Sequence, residues 1–273
     1  MAAEFSVIIV TYNSADVIAD SLKSIPLGNE VIVVDNASSD NSAMIASSLN
    51  ATVIQLEKNV GFGSACNVGA KNARHEHLLF LNPDATLGGG CLDQLSRAFA
   101  QYSEVCAFNP KILHADGRQY FRRNNKLGHG ELDNRGIPNQ DSDITVISGA
   151  ALAFRKTVFE LLDGFDEKIF LYFEDDDLCL RILASGHKVK YIHHAAVTHL
   201  LGKSTAHSAK LDFFKEYHFM KSYRYVCRKH GIPFKRLNKA YRLVMRLIGD
   251  VATFNKSKAI KHSAHLKAVL ETA

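Results

Sequence analysis

Four consecutive carboxylates, Glu174 to Asp177, form the densest group of side chains that could do acid–base chemistry. Like charges this close repel each other, so the cluster costs folding free energy unless another group uses or neutralises it. The apolar residues Leu178 and Leu180 indicate a helix that begins near Glu174, where acidic residues interact favourably with the helix dipole. The cluster is therefore either a helix cap or the source of a general base at the mouth of a cleft.

Two positions far apart in the chain could bind a divalent cation. Asp84 follows Asn82 and a proline at the end of a predicted strand, and His199 lies in a histidine-rich stretch. A carboxylate can hold a hard cation that bridges two phosphates, and an imidazole suits Mn²⁺ better than Mg²⁺. A structural role for His199 is the alternative. Asp35, at the end of another predicted strand, is placed to accept a hydrogen bond from a base or a ribose.

Alternating strands and helices must position these residues. Buried strands are predicted over 5–11, 30–34, 52–56 and 77–81. Helices are predicted over 15–25, 40–49 and 90–101, and another from the turn at 59–63 to about Arg74. Ser14 is predicted to cap the first helix, and Ser38 or Ser39 the second. This rhythm indicates a parallel α/β sheet whose strand ends meet at one ligand-binding edge. Polar residues follow each of the four strands: Thr11, Asn13, Asp35, Asn36, Asn59, Asn82 and Asp84.

In the second half of the chain the secondary-structure patterns are weaker, except over residues 208–273. Residues 102–145 are rich in charged and turn residues and predict a β-excursion or a mobile loop on the acceptor side. Short strands are predicted over 144–147, 152–154 and 188–192, and helices over 156–162 and from 174 to Gly186. Three amphipathic helices are predicted over 208–229, 235–249 and 255–270.

The composition is that of a globular protein, with 47% hydrophobic and 22% charged residues. The longest apolar runs have the length of strands, so no transmembrane span is predicted. The N-terminus begins directly with a strand pattern, and no signal peptide is predicted. The five scattered cysteines are typical of reduced thiols, which indicates a cytoplasmic protein.

Charge is divided unevenly along the chain. Residues 203–273 contain 16 Lys/Arg and 4 Asp/Glu, whereas residues 1–202 contain 17 Lys/Arg and 24 Asp/Glu. A basic tail on an acidic body implies an anionic partner, such as phospholipid headgroups, a lipid diphosphate or nucleic acid. A solvated helical surface is the alternative.

Seven segments, in this order, carry a resemblance to a known family. The chain resembles family 2 glycosyltransferases of GT-A fold, in the branch of rhamnosyltransferase-like enzymes of bacterial polysaccharide assembly. The segments are FSVIIVTYNS (5–14), VIVVDNASSD (31–40), NVGFGSACNVG (59–69), LLFLNPDA (78–85), SGAALAFR (148–155), FEDDDLCLR (173–181) and HLLGKST (199–205).

The resemblance implies a fold, an activity and a set of partners. The fold would be α/β, with a Rossmann-like nucleotide-binding sheet inside a mixed central sheet. A GT-A domain would span 1–205, with a nucleotide-sugar half (1–101) and an acceptor half (102–205), followed by a basic helical region (206–273). The activity would be inverting transfer of rhamnose or a hexose from a UDP- or dTDP-linked sugar to a saccharide acceptor, which we expect to be lipid-diphosphate-linked. The basic charge of the helical region would dock it on anionic lipid at the inner face of the cell membrane or on the diphosphate of the acceptor. The oligomeric state stays open.

The resemblance also assigns roles to individual residues. Asn82 replaces the first acid of the family's DxD motif, so Asp84 and His199 would hold the Mn²⁺ or Mg²⁺ ion. Asp175, the second residue of the family's acidic pair, would be the base, with Glu174 beside it. Gly149, Ala150 and Asp177 would lie on the acceptor side. The donor would be bound by Thr11, Tyr12, Asn13, Asp35, Asn36, Asn59, Gly61, Phe62, Asn67, Asn82, Asp84 and Lys203.

Two alternatives compete with a lipid-directed enzyme. One is a soluble glycosyltransferase acting on a protein or a small molecule. The other is a non-catalytic protein that binds nucleotides or nucleic acid with its basic tail. The set of Asp84, Asp175 and His199 favours the enzyme, because a binding protein has no need of a base, and nucleic acid is therefore not expected as a partner.

Overall fold

A computed structural model describes residues 4–125, 127, 136–200 and 208–271. The chain divides into two compact units. The sheet unit consists of Met1–Glu167 and Asp175–Thr205, and the helical unit consists of Lys168–Glu174 and Ala206–Ala273. The predicted division placed the whole of 1–205 in one domain, whereas the structure groups the short segment Lys168–Glu174 with the helices.

The first half of the sheet unit is a parallel α/β layer, because its buried β-branched runs pair side by side. The strands are β1 (Phe5–Thr11), β2 (Glu30–Asp35), β3 (Thr52–Gln55) and β4 (His77–Leu81). The helices are α1 (Ile18–Lys23), α2 (Ser42–Ser48) and α3 (Phe62–Asn72). The strand order is β3-β2-β1-β4, and every residue of the central β1 is buried. The carboxyl ends of these strands therefore meet at one edge, as predicted.

The second half makes the sheet mixed. Its strands are β5 (Ala85–Leu87), β6 (Val105–Leu113), β7 (Gln119–Tyr120), β8 (Ser142–Ile144), β9 (Ala151–Arg155) and β10 (Lys188–His199). Its helices are α4 (Cys91–Gln101), α5 (Lys156–Leu161) and α6 (Glu174–Ala184). β9 lies antiparallel between β4 and β6, and β10 runs parallel to β6 and antiparallel to β5. This arrangement confirms the predicted mixed central sheet.

Several predicted elements differ from the structure in position or extent. Neither α1 nor α2 has a side-chain cap, and the backbone N–H of Ser14 instead donates to Ser42 Oγ at 2.8 Å. Ser14 therefore joins the loop after β1 to the first residue of α2 and caps neither helix. β6 is a nine-residue strand inside the region predicted as a β-excursion or a mobile loop. Its bounds were not predicted, because Asn109, Pro110 and Lys111 interrupt its apolar pattern. β8 begins and ends earlier than predicted, and β10 extends seven residues further.

One glycine sets the distance between α3 and the sheet. A Cβ atom at Gly69 would lie 2.4 Å from Ile8 Cγ2 on β1, well inside van der Waals contact. The helix backbone therefore approaches the strand more closely than a larger residue would allow. This packing fixes the N-terminus of α3 near the end of β1.

The helical unit contains three helices at the positions that the sequence predicts. They are α7 (Ala209–Lys229), α8 (Arg236–Ala252) and α9 (Lys256–Leu270), and their core includes Met220, Leu243, Ala268 and Val269. The segment Lys168–Glu174 packs on α7: Ser222 Oγ donates to Leu171 O at 2.8 Å, and the Phe173 ring lies 4.9 Å from that of Phe219. Within the described ranges, no helix combines the length and hydropathy that crossing a bilayer requires.

Candidate active site

The two residues predicted to bind a cation lie side by side. β10 pairs antiparallel with β5 so that His199 is opposite Ala85, the residue after Asp84. His199 Nε2 lies 3.0 Å from Asp84 Oδ1 and 3.2 Å from Asn82 Nδ2. Both side chains of the Asp84–His199 pair are largely buried. The sheet register therefore brings together residues separated by 115 positions.

The Asp84–His199 pair fits a divalent cation. Two ligands at right angles around an octahedral ion, with bonds of about 2.1 Å, lie about 3.0 Å apart. The Asp84 Oδ1–His199 Nε2 distance of 3.0 Å matches this spacing without rearrangement. Among the described residues, no three His, Cys, Asp or Glu side chains form a group that could hold a metal.

Asp35 and Asn36 lie at the end of β2, on the predicted nucleotide edge. Both oxygens of Asp35 accept from the backbone N–H of Ser38 at 3.4 Å. Asn36 Nδ2 donates to Asn59 Oδ1 at 2.9 Å, and Asn36 Oδ1 accepts from the Val60 N–H at 2.9 Å. Asn36 and Asn59 thus hold the loop that leads into α3.

Gly61 ends that loop with a φ of 92° and a ψ of 165°. This combination is essentially restricted to glycine, so the loop conformation depends on this residue. Phe62 is the first residue of α3, and the free N–H groups of a helix N-terminus favour anionic ligands. The geometry is compatible with the predicted phosphate side of the donor site.

The three residues at the end of β1 have different environments. Thr11 is completely buried, and its Oγ1 has no hydrogen-bond partner in the part of the chain that the structure describes. Tyr12 is exposed. Asn13 adopts a left-handed conformation, and its Oδ1 accepts from the Ser39 N–H at 2.7 Å. Asn13 therefore joins the β1 and β2 loops, and only Tyr12 presents an accessible side chain.

Two predicted contact residues are engaged in structural bonds. Asn67 Nδ2 donates to Phe165 O, and Asn67 Oδ1 accepts from the Phe165 N–H, both at 2.8 Å. Asp177 is fully buried and accepts from Arg181 Nε at 2.8 Å. The donor contact of Asn67 and the acceptor contact of Asp177 remain predictions, and each would require these bonds to rearrange. Lys203 lies outside the described residues.

Asp175, the predicted base, is held from three sides at the start of α6. Its Oδ2 accepts from Arg122 Nη1 at 2.6 Å and from the Gly149 N–H at 3.2 Å. Its Oδ1 accepts from the Asp176 N–H at 2.9 Å. Glu174 is the buried first residue of α6. The acidic cluster therefore begins a helix, as predicted, and also presents one carboxylate held in a defined position.

Arg122 is a site residue that the sequence analysis missed. Its Nη2 lies 2.7 Å from Asp176 Oδ1, and its Nη1 also donates to Ile147 O at 2.9 Å. Burial disfavours the guanidinium charge, but the carboxylates of Asp175 and Asp176 outweigh it and raise the pKa of Arg122. The paired arginines in the charged segment FRRNN were the available signal.

A single turn connects the base to the cation-binding pair. The Ala150 carbonyl accepts from the Asn82 N–H at 3.0 Å, while the adjacent Gly149 N–H donates to Asp175. Asn109 on β6 fixes this turn: its Nδ2 donates to Ser148 O at 3.1 Å, and its Oδ1 accepts from the Ser148 N–H at 2.9 Å. Asn109 was also missed, because its strand was not predicted.

Comparison with known proteins identifies the family. The family model described as glycosyl transferase family 2 matches residues 6–162, more than half of the chain. The chain belongs to glycosyltransferase family 2. One relative, an N-acetylglucosaminyl-diphospho-decaprenol L-rhamnosyltransferase of Mycobacterium tuberculosis, is 27% identical over 73% of this chain and 76% of its own length. The rhamnosyltransferase WbbL of Escherichia coli is 26% identical over 82% of this chain and 92% of its own length.

Two solved structures share the fold of this family 2 enzyme. S. aureus TarS 1-349 in complex with UDP-GlcNAc has a TM-score of 0.60 and 17% identity, over 96% of this chain and 90% of that one. The mannosyltransferase PcManGT of Pyrobaculum calidifontis, in complex with GDP-Man and Mn²⁺, has a TM-score of 0.60 and 14% identity, over 100% of this chain and 89% of that one. At these identities the likeness shows the GT-A fold and no more.

Proposed function

We propose that this glycosyltransferase is an inverting, cation-dependent enzyme that moves rhamnose or another hexose from a UDP- or dTDP-sugar to a lipid-diphosphate-linked saccharide. The observation that carries this proposal is the turn at Gly149 and Ala150, which bonds to Asp175 on one side and to Asn82 on the other. A proton acceptor and a diphosphate-binding pair are thereby held in one framework. The M. tuberculosis relative, whose name specifies a diphospho-decaprenol acceptor and rhamnose, supports the choice of substrates.

The donor would bind along the strand ends of β1, β2 and β4. Asp35 would accept a hydrogen bond from the nucleobase, and the exposed ring of Tyr12 would cover the nucleobase. Asn13, Asn36 and Asn59 would act through the loops that they hold, and Thr11 would lie against the donor at the end of β1. The N-terminus of α3 at Gly61 and Phe62 would face the diphosphate. Lys203 would supply a further positive charge.

Asp175 is the group that would move a proton. Its carboxylate would accept the proton of the acceptor hydroxyl while that oxygen attacks the anomeric carbon. The bond from the anomeric carbon to the diphosphate breaks on the opposite face, so the nucleoside diphosphate leaves and the configuration inverts. Arg122 and the Gly149 N–H would keep the carboxylate in position during this transfer. Glu174, Gly149 and Ala150 would shape the acceptor side.

Asp84 and His199 would hold a divalent cation. When bound, a Mn²⁺ or Mg²⁺ ion would neutralise negative charge on the diphosphate. The mixed oxygen and nitrogen donors favour Mn²⁺. In the structure Asn82 Nδ2 lies 3.2 Å from His199 Nε2, the atom that would face the ion, so this contact would give way when a cation is bound.

The helical unit would attach the protein to an anionic membrane surface. One face of α8 leaves large apolar side chains exposed: Leu237, Tyr241, Val244, Met245, Ile248 and Val251. Their spacing of three and four residues makes a continuous stripe. Basic residues flank the stripe: Arg236, Lys239, Arg242 and Arg246. A helix of this kind suits the interface plane of a bilayer that contains anionic lipid.

Replacement of the base tests the proposal. Asp175→Asn removes the proton acceptor but retains an oxygen for Arg122, so we expect transfer to fall by roughly 10²- to 10⁴-fold. The affinity for UDP or dTDP should stay within about twofold, because the substitution lies outside the strand ends. Sugar transfer to a synthetic lipid-diphosphate saccharide and equilibrium binding of the nucleotides are the measurements. Transfer at the parent rate by a folded Asp175→Asn protein would refute the mechanism.

A further inference from the structure

The helical unit encloses a cavity of about 720 Å³ with a strongly basic lining. Five of its ten lining residues are Lys or Arg, and none is Asp or Glu. The cations are Lys168, Lys221, Arg224, Arg228 and Arg236. Like charges gathered around one space repel each other, and a bound anion would relieve that repulsion.

The basic residues of the cavity interact electrostatically with one another. Burial, together with the charges of Arg236 and Arg228, lowers the pKa of Arg224. Arg224 and Arg236 donate to backbone carbonyls at the end of α9, which holds their guanidinium groups in place. Glu271, near Arg224, offsets part of the positive charge and accepts from Tyr217 Oη at 2.5 Å. Over residues 208–271, no carboxylate forms an ion pair with Lys221 or Arg228.

The cavity is also lined by aromatic rings and by the imidazole of His218. Phe170, Tyr225 and Phe234 contribute aromatic surface. The His218 ring packs at a tilt against that of Phe170, with centroids 4.4 Å apart, and its Nδ1 has no hydrogen-bond partner in the described part of the chain. A buried polar atom without a partner is costly, so a ligand oxygen that bonded it would gain stability. Positive charge beside apolar rings suits a ligand with an anionic head and a hydrocarbon portion.

The cavity wall includes the segment that leads into the proposed base. Lys168 and Phe170 line the cavity, and Asp175 follows Phe170 by five residues. Ser222, another lining residue, bonds to Leu171 O. The donor diphosphate already has a predicted place beside Asp84 and His199. A second diphosphate in the reaction would belong to the acceptor.

We propose that this cavity binds the diphosphate of an isoprenoid-diphosphate acceptor, with the aromatic residues contacting the first isoprene units. The identity of the ligand as acceptor rests on the proposed function, whereas diphosphate binding by the cavity does not. Arg224 and Arg236 form the fixed part of the site, and the exposed side chains of Lys221 and Arg228 close on the phosphates. The acceptor saccharide is then held by its lipid end in the helical unit.

Binding of short soluble probes to the full chain tests the proposal. Farnesyl diphosphate, farnesol and UDP would be titrated in EDTA, so that a cation-bound diphosphate at Asp84 and His199 does not contribute. The cavity variant is Lys221→Gln/Arg228→Gln. The control variant is Lys256→Gln/Lys258→Gln, which removes the same charge from exposed positions on α9 outside the cavity. Circular dichroism would establish that both variants are folded.

We expect the parent and the control variant to bind farnesyl diphosphate, and the cavity variant to bind it at least roughly tenfold more weakly, as expected for lost charge-assisted hydrogen bonds. Farnesol should bind much more weakly than farnesyl diphosphate, and UDP should not displace the latter. The proposal is wrong if the parent does not bind farnesyl diphosphate, if both variants bind it like the parent, or if UDP competes. Displacement by phosphatidylglycerol vesicles would assign the cavity to a phospholipid headgroup and overturn the isoprenoid assignment.

The same variants separate this proposal from the proposed function. With a lipid-diphosphate saccharide as acceptor, the cavity variant should raise the KM for acceptor while hydrolysis of the donor sugar stays at the parent rate. A parent that binds farnesyl diphosphate through the cavity but transfers no sugar would contradict the function and leave the cavity assignment standing. A parent that transfers sugar with a KM unchanged in the cavity variant would contradict the cavity assignment alone.

Discussion

At the scale of single residues, the site depends on side chains that hold other side chains. Asp175 and His199 carry the proposed chemistry, but Arg122, Asn109 and Gly149 determine where Asp175 lies. Arg122 contacts two carboxylates with its two terminal nitrogens, 2.6 Å and 2.7 Å away. A displacement of about 1 Å at a base can cost roughly 10²-fold in rate. Positioning of this kind should therefore be visible in the kinetics of variants.

Replacement of Arg122 tests this role. We expect Arg122→Gln to lower kcat by roughly 10- to 100-fold through misplacement of Asp175. It should also lower the free energy of unfolding by about 3 kcal/mol, because it breaks a largely buried ion pair. Steady-state kinetics and urea unfolding are the measurements, and Arg122→Lys should restore part of kcat.

A matched control for Arg122 is Arg118→Gln. Arg118 pairs with Asp116 at the surface, and such exposed pairs contribute little to stability. Both its kcat and its urea midpoint should stay near those of the parent. Equal kinetics for the Arg122→Gln protein and the parent would show that Arg122 serves the fold alone.

The Asp84–His199 pair leads to a second prediction about single residues. His199→Gln removes one of two protein ligands, so the Mn²⁺ concentration for half-maximal transfer should rise by roughly 10- to 100-fold. EDTA should abolish transfer, and Mn²⁺ should restore it better than Mg²⁺. The control is His194→Gln, which replaces an exposed histidine in the same stretch. Its Mn²⁺ concentration for half-maximal transfer should equal that of the parent. Full activity of the parent in EDTA would contradict the cation role.

At the scale of elements, the strength of the sequence signal decided what could be predicted. The run Phe5–Thr11 is apolar at nearly every position and is buried throughout, so β1 was predicted with its correct ends. β6 was missed because Asn109, Pro110 and Lys111 interrupt a strand that is otherwise buried. The pairing of Asp84 with His199 follows from the β5–β10 register, which no local pattern contains. Arg122 was missed for the same reason, since its partners are more than 50 positions away.

A half-buried histidine in α7, His218, makes the stability of the helical unit dependent on pH. Burial, with the neighbouring charge of Lys221, lowers the pKa of His218 from 6.5 to about 4. The folded state therefore favours the neutral ring. The contribution to stability is complete above pH 6.5 and is lost as the pH falls towards 4.

His218→Phe tests this dependence, because phenylalanine retains the packing against Phe170 and Phe214 but cannot be protonated. We expect the urea midpoint of the variant to fall less than that of the parent between pH 7 and pH 4.5. The urea midpoint of the control variant His187→Asn, in the sheet unit, should fall with pH as much as that of the parent. A parallel fall for the parent and His218→Phe would show that other groups cause the acid sensitivity.

At the scale of the whole molecule, the excess of basic residues near the end of the chain lies in the helical unit. The basic tail that the sequence shows is a three-helix unit in which α8 combines exposed apolar residues with arginine. The apolar stripe would enter the bilayer interface, and the arginines would contact anionic headgroups. Each fully exposed aliphatic side chain that becomes buried contributes roughly 1.5–3 kcal/mol.

Vesicle binding tests the stripe. The Leu237→Ser/Ile248→Ser protein should bind vesicles of phosphatidylglycerol and phosphatidylethanolamine roughly 10- to 100-fold more weakly than the parent. Binding of the parent should weaken at high salt, because salt screens the headgroup charge. Leu27→Ser/Leu161→Ser, at two exposed leucines of the sheet unit, is the control for lost surface hydrophobicity. If the stripe variant instead dissociates a dimer in light scattering, the stripe contacts a second copy of the chain.

The discontinuity of the helical unit has a consequence for protein engineering. Residues 168–174 lie far upstream of the three helices, yet they pack with them through Phe173 and Leu171. No single cut can therefore separate the two units. A chimera that exchanged only 206–273 with a relative would pair foreign helices with the parental segment 168–174. Any exchange of acceptor specificity should transplant both pieces together, as two insertions on either side of Asp175.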